Sequence, residues 1–234
     1  MKNLYNKKFY ESNRQTTLLG SKIILNLVFD KLKKQPENII DIGCGTGEWL
    51  NSAFELGVKD LSGLDGPWVE SESLINKKIK LKKLDLNKDF LQYKSKKFDF
   101  LICSEVLEHL DPNNNYNIIK KLCELSDVIL FSAAIPGQRG TKHINCQWQS
   151  YWIKIFKLYN FKMHDIIRPS IWTNDYVEFW LKQNIFLFTS QNYKLNHDFE
   201  LNNNYADIIH PDFLNIGVKR SLIYLANSIK NKFL

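Results

Sequence analysis

The sequence predicts an α/β fold: a doubly wound, mostly parallel sheet of seven strands with an N-terminal helix and a C-terminal helical extension. Three observations predict it. Short apolar runs alternate with helix-length amphipathic stretches, the order of a parallel sheet with crossover helices. The runs are apolar at successive positions rather than every second one, as in strands covered on both faces. The first run ends in a glycine-rich turn that opens a helix.

Residues 16–34 carry Leu18, Ile23, Ile24, Leu27, Val28 and Leu32 at helical spacing, and Pro36 stops that helix. The β-branched run 38–42 is the first strand; residues 49–56 continue as helix, and Gly57 ends it. Residues 61–65, 79–84 and 98–103 read as the next three strands. A helix opens at 106–110, a second covers 116–125 after the turn Asp111-Pro112-Asn113, and 127–133 is the fifth strand. Residues 149–159 form an aromatic-rich helix, 161–168 a further strand and 185–189 the last. The stretch 191–204 is polar and Asn-rich, hence a loop, and leads to an amphipathic segment at 216–234. Residues 1–190 are therefore expected to form one domain, with 191–234 packed on it.

Hydrophobic residues at 44% and aromatics at 13% are enough for a packed core and argue against disorder. No apolar run reaches the roughly 18–20 residues of a membrane-spanning helix, and Met1 to Lys8 lack a signal-peptide stretch, so the expected location is cytoplasmic. The four cysteines (Cys44, Cys103, Cys123, Cys146) are scattered without a Cys-x-x-Cys pair, which fits reduced thiols. The net charge of +7 is spread over lysine-rich helix faces and loops, with no Arg-rich stripe. That pattern argues against nucleic acid and leaves room for a phosphate-bearing or acidic small substrate.

The segment Asp41-Ile42-Gly43-Cys44-Gly45-Thr46-Gly47 lies between the first strand and its helix. Glycines at this spacing let the chain turn tightly and let its backbone approach a ligand. Gly47 replaces the longer spacing of dinucleotide-binding loops, which suits a nucleoside carrying an amino acid. Asp65 ends the second strand, where a carboxylate can accept from both ribose hydroxyls; the alternative is a turn residue beside Gly66. Asp85, in Leu84-Asp85-Leu86, ends the third strand, where a side-chain acceptor can meet an adenine amino group. Trp68, in Gly66-Pro67-Trp68, is either a stacking partner for that base or a packed loop anchor.

Together these segments resemble the class I S-adenosylmethionine-dependent methyltransferases, over residues 37–189. The resemblance implies a Rossmann-like domain and S-adenosyl-L-methionine as cofactor. Asp41, Gly43, Cys44, Gly45 and Gly47 would surround its methionine end, and Asp65 with Gly66 would take the ribose. Asp85 and Leu86 would flank the adenine, and Ser104 would lie beside the cofactor after the fourth strand.

After that strand the sequence reads Ser104-Glu105-Val106-Leu107-Glu108-His109-Leu110, with spacings that put Glu105, Glu108 and His109 on one face of a helix. His143 follows the fifth strand, in a loop opening at the same carboxyl edge. Two carboxylates and two imidazoles suit a divalent ion such as Mg. The set is similar to the metal site of small-RNA 2′-O-methyltransferases and ubiquinone-pathway O-methyltransferases. Three roles stay open: metal ligation by Glu105, Glu108, His109 and His143; a catalytic base or acceptor contact among Glu105, His109 and His143; and packing. Gln147 and Trp148 suit a polyhydroxylated acceptor, and Arg168 suits a phosphate or carboxylate on it. Trp152, Phe156, Tyr159 and Trp180 read as core.

The stretch from Ala134-Ile135-Pro136-Gly137 to Trp152 also resembles methyltransferases of bacterial surface-polysaccharide gene sets. That implies O-methylation of a small polar precursor, a sugar or sugar-linked group. Two other classes compete with it: a metal-dependent RNA 2′-O-methyltransferase, and a non-catalytic cofactor-binding or membrane-associated partner protein using the basic residues Lys219, Arg220, Lys230 and Lys232. The same terminal segment can instead cap the domain or form a homodimer.

Overall fold

The computed structural model describes residues 7–196 and 206–214, with side chains from residue 14 onward. The strands among these residues are β1 (Asn38–Ile42), β2 (Asp60–Asp65), β3 (Lys80–Lys83), β4 (Phe100–Ser104), β5 (Val128–Ser132), β6 (Phe161–His164) and β7 (Phe186–Ser190). They form one seven-stranded sheet in the order β3-β2-β1-β4-β5-β7-β6. Pairings from β3 to β5 are parallel, and β7 runs antiparallel to both of its neighbours. The strand order reverses between β1 and β4, so the crevice at their carboxyl ends is where a ligand binds in a sheet of this kind.

Helices α1 (Lys7–Lys31), α2 (Glu48–Glu55), α3 (Asn115–Leu125), α4 (Gln149–Leu158), α5 (Arg168–Ile171) and α6 (Phe179–Asn184) cover the two faces. Successive strand residues point to opposite faces. Ile39, Phe100 and Leu130 bury against Val28 of α1, Leu50 of α2 and Leu181 of α6. Ile40, Leu101 and Phe131 bury against Ile119 of α3 and Phe156 of α4. Strand β3 is mostly exposed, and its Lys-Leu-Lys-Lys sequence keeps that edge from pairing further.

Three sequence expectations need correction. Helix α1 begins before residue 16 and ends at Lys31, short of Pro36, where the Asn196 side chain donates to the carbonyls of Asp30 and Leu32 at 3.2 and 2.7 Å. The strand expected over 161–168 stops at His164, because Arg168-Pro169 opens α5 and proline's missing N–H costs nothing in a first helical turn. The helix expected at 106–110 is a single 3-10 turn, Leu107–His109.

Trp152 and Phe156 are core, whereas Tyr159 and Trp180 sit half-buried at its margin. No cysteine is in a disulfide; Cys44 and Cys103 are buried. Among the described residues no helix is long and apolar enough to cross a membrane. The segment 216–234 and most of the 191–204 loop lie outside the described residues.

Candidate active site

The turn after β1 is shaped by its glycines. Gly43, Gly45 and Gly47 have φ of 77, 53 and 88°, a region that costs other L-residues about 1–2 kcal/mol. Space excludes a side chain too: a Cβ on Gly47 would stand 2.4 Å from Cδ1 of Ile79. The Gly43 and Cys44 N–H groups donate to the Leu64 carbonyl at 2.7 and 3.1 Å. The Asp65 carboxylate accepts from the N–H of Gly45 at 2.7 Å and of Gly66 at 2.6 Å. The end of β2 is thereby fastened to the turn after β1. Burial raises the Asp65 pKa, and those two donors oppose the rise. The Trp68 ring folds over Gly66, beside Asp65, where a Cβ on the glycine would lie 2.1 Å from it.

Asp41 is 2% exposed, and its Oδ2 has no hydrogen-bond partner among the described residues. Burial, then the charges of Asp65 and Glu48, hold its pKa well above the usual carboxylate range. An orphaned buried carboxylate beside a ready-made turn is costly unless a donor or cation arrives. Asp85 is tied into its own loop: Oδ1 accepts from Asn87 N–H at 3.0 Å, while Leu86 packs into the core. Ser104 Oγ lies 2.9 Å from Ser132 Oγ, bridging the ends of β4 and β5.

Sequence reading missed Arg14, Thr46 and Glu48. Arg14 Nε, on α1, donates to Glu48 Oε1 at 3.3 Å, and the Thr46 hydroxyl donates to the same oxygen. Arg14 precedes the first apolar position of the helical pattern, so periodicity gave no reason to place it here. The Gly47-Glu48 junction was the one available signal, an acidic residue in a first helical turn.

A second polar cluster is built at the ends of β4 and β5. Glu105 follows β4 with φ 55°, outside any helix, so it does not share a helix face with Glu108 and His109. Its N–H donates to the Ser132 carbonyl at 2.9 Å, and its carboxylate accepts from Gln138 Nε2 at 2.9 Å and Asn184 Nδ2 at 3.2 Å. Glu108 is fully buried, and no donor of good geometry reaches either of its oxygens among the described residues. Burial, then the charge of Glu105, raises its pKa well above normal, which favours the protonated form.

The loop after β5 docks on this turn. Ile144 and Asn145 N–H groups donate to the Glu108 carbonyl at 2.9 and 3.0 Å, and Asn145 Nδ2 donates to the Leu107 carbonyl at 2.9 Å. His143 is thereby brought edge-on to His109, with ring centroids 4.9 Å apart. Its Nδ1 is 2.9 Å from the Gln138 carbonyl, which makes Nδ1 the donor and leaves the Nε2 lone pair free. Burial and then His143 lower the His109 pKa to about 4; burial lowers that of His143. Ligand atoms of Glu108, His109 and His143 lie within 4.8 Å of one another. Glu105 is outside that set, its oxygens being engaged by the two amides.

Gln147 and Trp148 follow on the same loop, with Trp148 40% exposed. Arg168 corrects the sequence reading. It is 1% exposed, pairs bidentately with Asp165 at 2.8 and 2.5 Å, and donates to the carbonyls of Gln183 and Ala206 at 3.1 and 2.9 Å. A guanidinium engaged in this way ties α5 to Asp165, Gln183 and Ala206.

A family model described as a methyltransferase domain matches residues 10–165. No curated protein matches the sequence. Solved structures share the fold at low identity. A SAM-dependent methyltransferase from Archaeoglobus fulgidus aligns at 19% identity over 67% of this chain and 74% of its own, with a TM-score of 0.54. Magnesium protoporphyrin IX methyltransferase from Synechocystis, with bound SAH, aligns at 18% identity over 76% and 83%, also at 0.54. The [4+2]-cyclase SpnF aligns at 10% identity over 73% and 80%, at 0.52. The fold therefore accommodates more than one kind of chemistry, and the side chains must decide.

Proposed function

The chain belongs to the methyltransferase-domain family, which its residues 10–165 match, and from that premise we propose that it is an S-adenosylmethionine-dependent O-methyltransferase of a small hydroxylated acceptor. The buried Asp41 oxygen without a partner, beside three positive-φ glycines, is the observation that carries the cofactor reading. These residues fit a cationic nucleoside derivative, because three carboxylates (Asp41, Glu48, Asp65) gather there with Arg14 beside them. Asp65 would hold the ribose and Asp41 the amino-acid end, with Arg14 available to its carboxylate; Ser104, Asp85 and Leu86 line the same edge. The bound sulfonium supplies an electrophilic methyl group.

The residues of the acceptor side then orient an oxygen and take its proton. His143, neutral and with its Nδ1–H fixed by Gln138, has Nε2 free to accept that proton. Glu105 accepts a hydrogen bond from a neighbouring hydroxyl. Amide and aromatic groups at Gln147 and Trp148 support a sugar or sugar-linked precursor of surface-polysaccharide synthesis. The internal engagement of Arg168 favours a neutral acceptor over an anionic one.

A divalent cation is a second element of the reading, carried by the cluster of the buried Glu108 carboxyl with two imidazoles, whose ligand atoms lie within 4.8 Å of one another. Glu108, His109 and His143 would hold it; His143 Nε2 would then be a ligand in place of the base, and the ion would lower the pKa of an acceptor hydroxyl.

The test incubates the chain with methyl-labelled S-adenosylmethionine and a panel of free sugars, sugar phosphates, nucleotide sugars and duplex RNA. Label on a neutral sugar hydroxyl supports the proposal. Label confined to RNA would replace it with the nucleic-acid reading.

A further inference from the structure

A row of buried amides connects Glu105 to a distant segment of the chain. Gln138, Gln183 and Asn184 are 8%, 0% and 2% exposed. Side-chain amides can be turned either way round, so their direction must come from groups with only one role. Both ends of this row are such groups. At one end the His210 backbone N–H, a donor only, meets Gln183 Oε1 at 2.9 Å. Gln183 Nε2 must therefore face onward, and it donates to Asn184 Oδ1 at 3.0 Å. That turns Asn184 Nδ2 toward Gln138 Oε1 at 2.9 Å and Glu105 Oε1 at 3.2 Å. With its oxygen so occupied, Gln138 presents Nε2 to Glu105 Oε2 at 2.9 Å. At this end stands a carboxylate, the group that takes donors from both amides. Every amide in the row points the same way.

The His210 end is itself well fastened. His210 Nε2 lies 2.8 Å from the Trp172 carbonyl, Asp207 accepts from Ser150 N–H and hydroxyl at 2.7 Å each, and Gln149 donates to the Ile208 carbonyl at 2.9 Å. Residues 206–214 thus form a strap over the carboxyl edge of the sheet, with Phe213 against Gly137, next to Gln138.

We infer that Gln138, Gln183 and Asn184 are positioning residues: a polarised amide row, set by the docked strap at His210, that fixes the orientation of Glu105. The inference rests on the reading of Glu105 as an acceptor-side carboxylate, but the row can be tested without turnover. Gln183 makes no hydrogen bond to Glu105 itself; its Nε2 reaches Asn184 Oδ1 at 3.0 Å and Gln138 Oε1 at 3.5 Å, and both of those residues donate to Glu105. Cooperative polarisation of hydrogen-bond chains is the physical basis.

The experiment is heteronuclear NMR on the full isotope-labelled chain, comparing wild type with Glu105→Gln and Gln183→Met. Glu105→Gln is expected to shift the side-chain N–H resonances of Asn184 and Gln183 and the backbone N–H of His210. Gln183→Met is expected to move the Glu105 carboxyl carbon and to lower hydrogen-exchange protection at His210 by about tenfold. Shifts confined to groups that touch the substituted residue would overturn the inference. Should Gln183→Met not fold, Gln138→Met read at Asn184 and at His210 tests the same coupling, with a shift at His210 expected and its absence overturning the inference. Calorimetry with S-adenosylhomocysteine on the same variants separates the two claims: binding retained with no propagated shift removes the amide row alone, and propagated shifts without binding remove the functional reading alone.

Discussion

Gly43 lies so close to Val106 that a Cβ built on the glycine would meet the valine Cγ2 at 2.5 Å. This contact joins the two halves of the site. The glycine turn stands on one side, and the Leu107–His109 turn begins one residue beyond the valine. The distance between the glycine turn and the Leu107–His109 turn is therefore set partly by the absence of a side chain at one position.

Gly43→Ala is accordingly expected to destabilise the protein by about 2–4 kcal/mol, from overpacking plus the positive-φ penalty. Adding Val106→Ala should recover only part of the loss, because φ 77° remains unfavourable for alanine. Urea unfolding of the single and double variants checks this. Full recovery in the double variant would mean that backbone conformation contributes nothing here.

Arg168→Met should cost about 1–3 kcal/mol, since it removes the donors of the partly exposed Asp165 and of the Ala206 carbonyl and one of the two donors of the Gln183 carbonyl. Its affinity for S-adenosylhomocysteine, measured calorimetrically on the folded fraction, should stay close to wild type. A selective loss of affinity for an anionic acceptor at unchanged stability would restore Arg168 to the substrate site.

The pH dependence of stability follows from Glu108. Its folded-state pKa lies above the unfolded value, so the native state holds the extra proton and its contribution is present at low pH. That contribution is lost as pH rises from the unfolded pKa toward the folded one, by up to about 1.4 kcal/mol per pH unit. His109 acts oppositely: with its pKa lowered to about 4, stability falls as pH drops from 6.5 toward 4. Glu108→Gln should make the decline above pH 5 shallower, leaving the share of Asp41 and Asp65, and leave the acid side unchanged. Denaturation of chelator-treated protein across pH measures both slopes, and an unchanged decline in the variant would assign it to another group.

If the cluster takes a divalent ion, binding must displace the Glu108 proton. Titration of Mg or Zn into the chain in two buffers of different ionisation enthalpy should show proton release, and both binding and release should vanish in Glu108→Gln. Heat without proton release would place the ion elsewhere.

The glycine turn and the end of β2 were legible in the sequence because their signals are local. Asp41, the three glycines and Asp65 lie at strand ends, and a strand end can be read from hydrophobicity alone. The cluster after β4 was less legible. Glu105, Glu108 and His109 have helical spacing, but Glu105 takes a left-handed conformation as the chain leaves β4, and spacing does not reveal φ. Arg168 looked like an available cation because nothing local announces Asp165 beside it or the carbonyls of Gln183 and Ala206 above it. Gln138 was passed over altogether, since its importance comes from contacts with Glu105 and Asn184, far away in the chain.

The most direct measurement is calorimetric titration of the chain with S-adenosylhomocysteine, beside the Asp65→Ala variant. Saturable one-to-one binding is predicted for the wild type. In the variant it should weaken by about 10- to 100-fold, as a charged acceptor worth about 1.5–3 kcal/mol disappears. Absence of wild-type binding, or equal affinity in the two proteins, would contradict the placement of a sulfonium nucleoside between the glycine turn and β2.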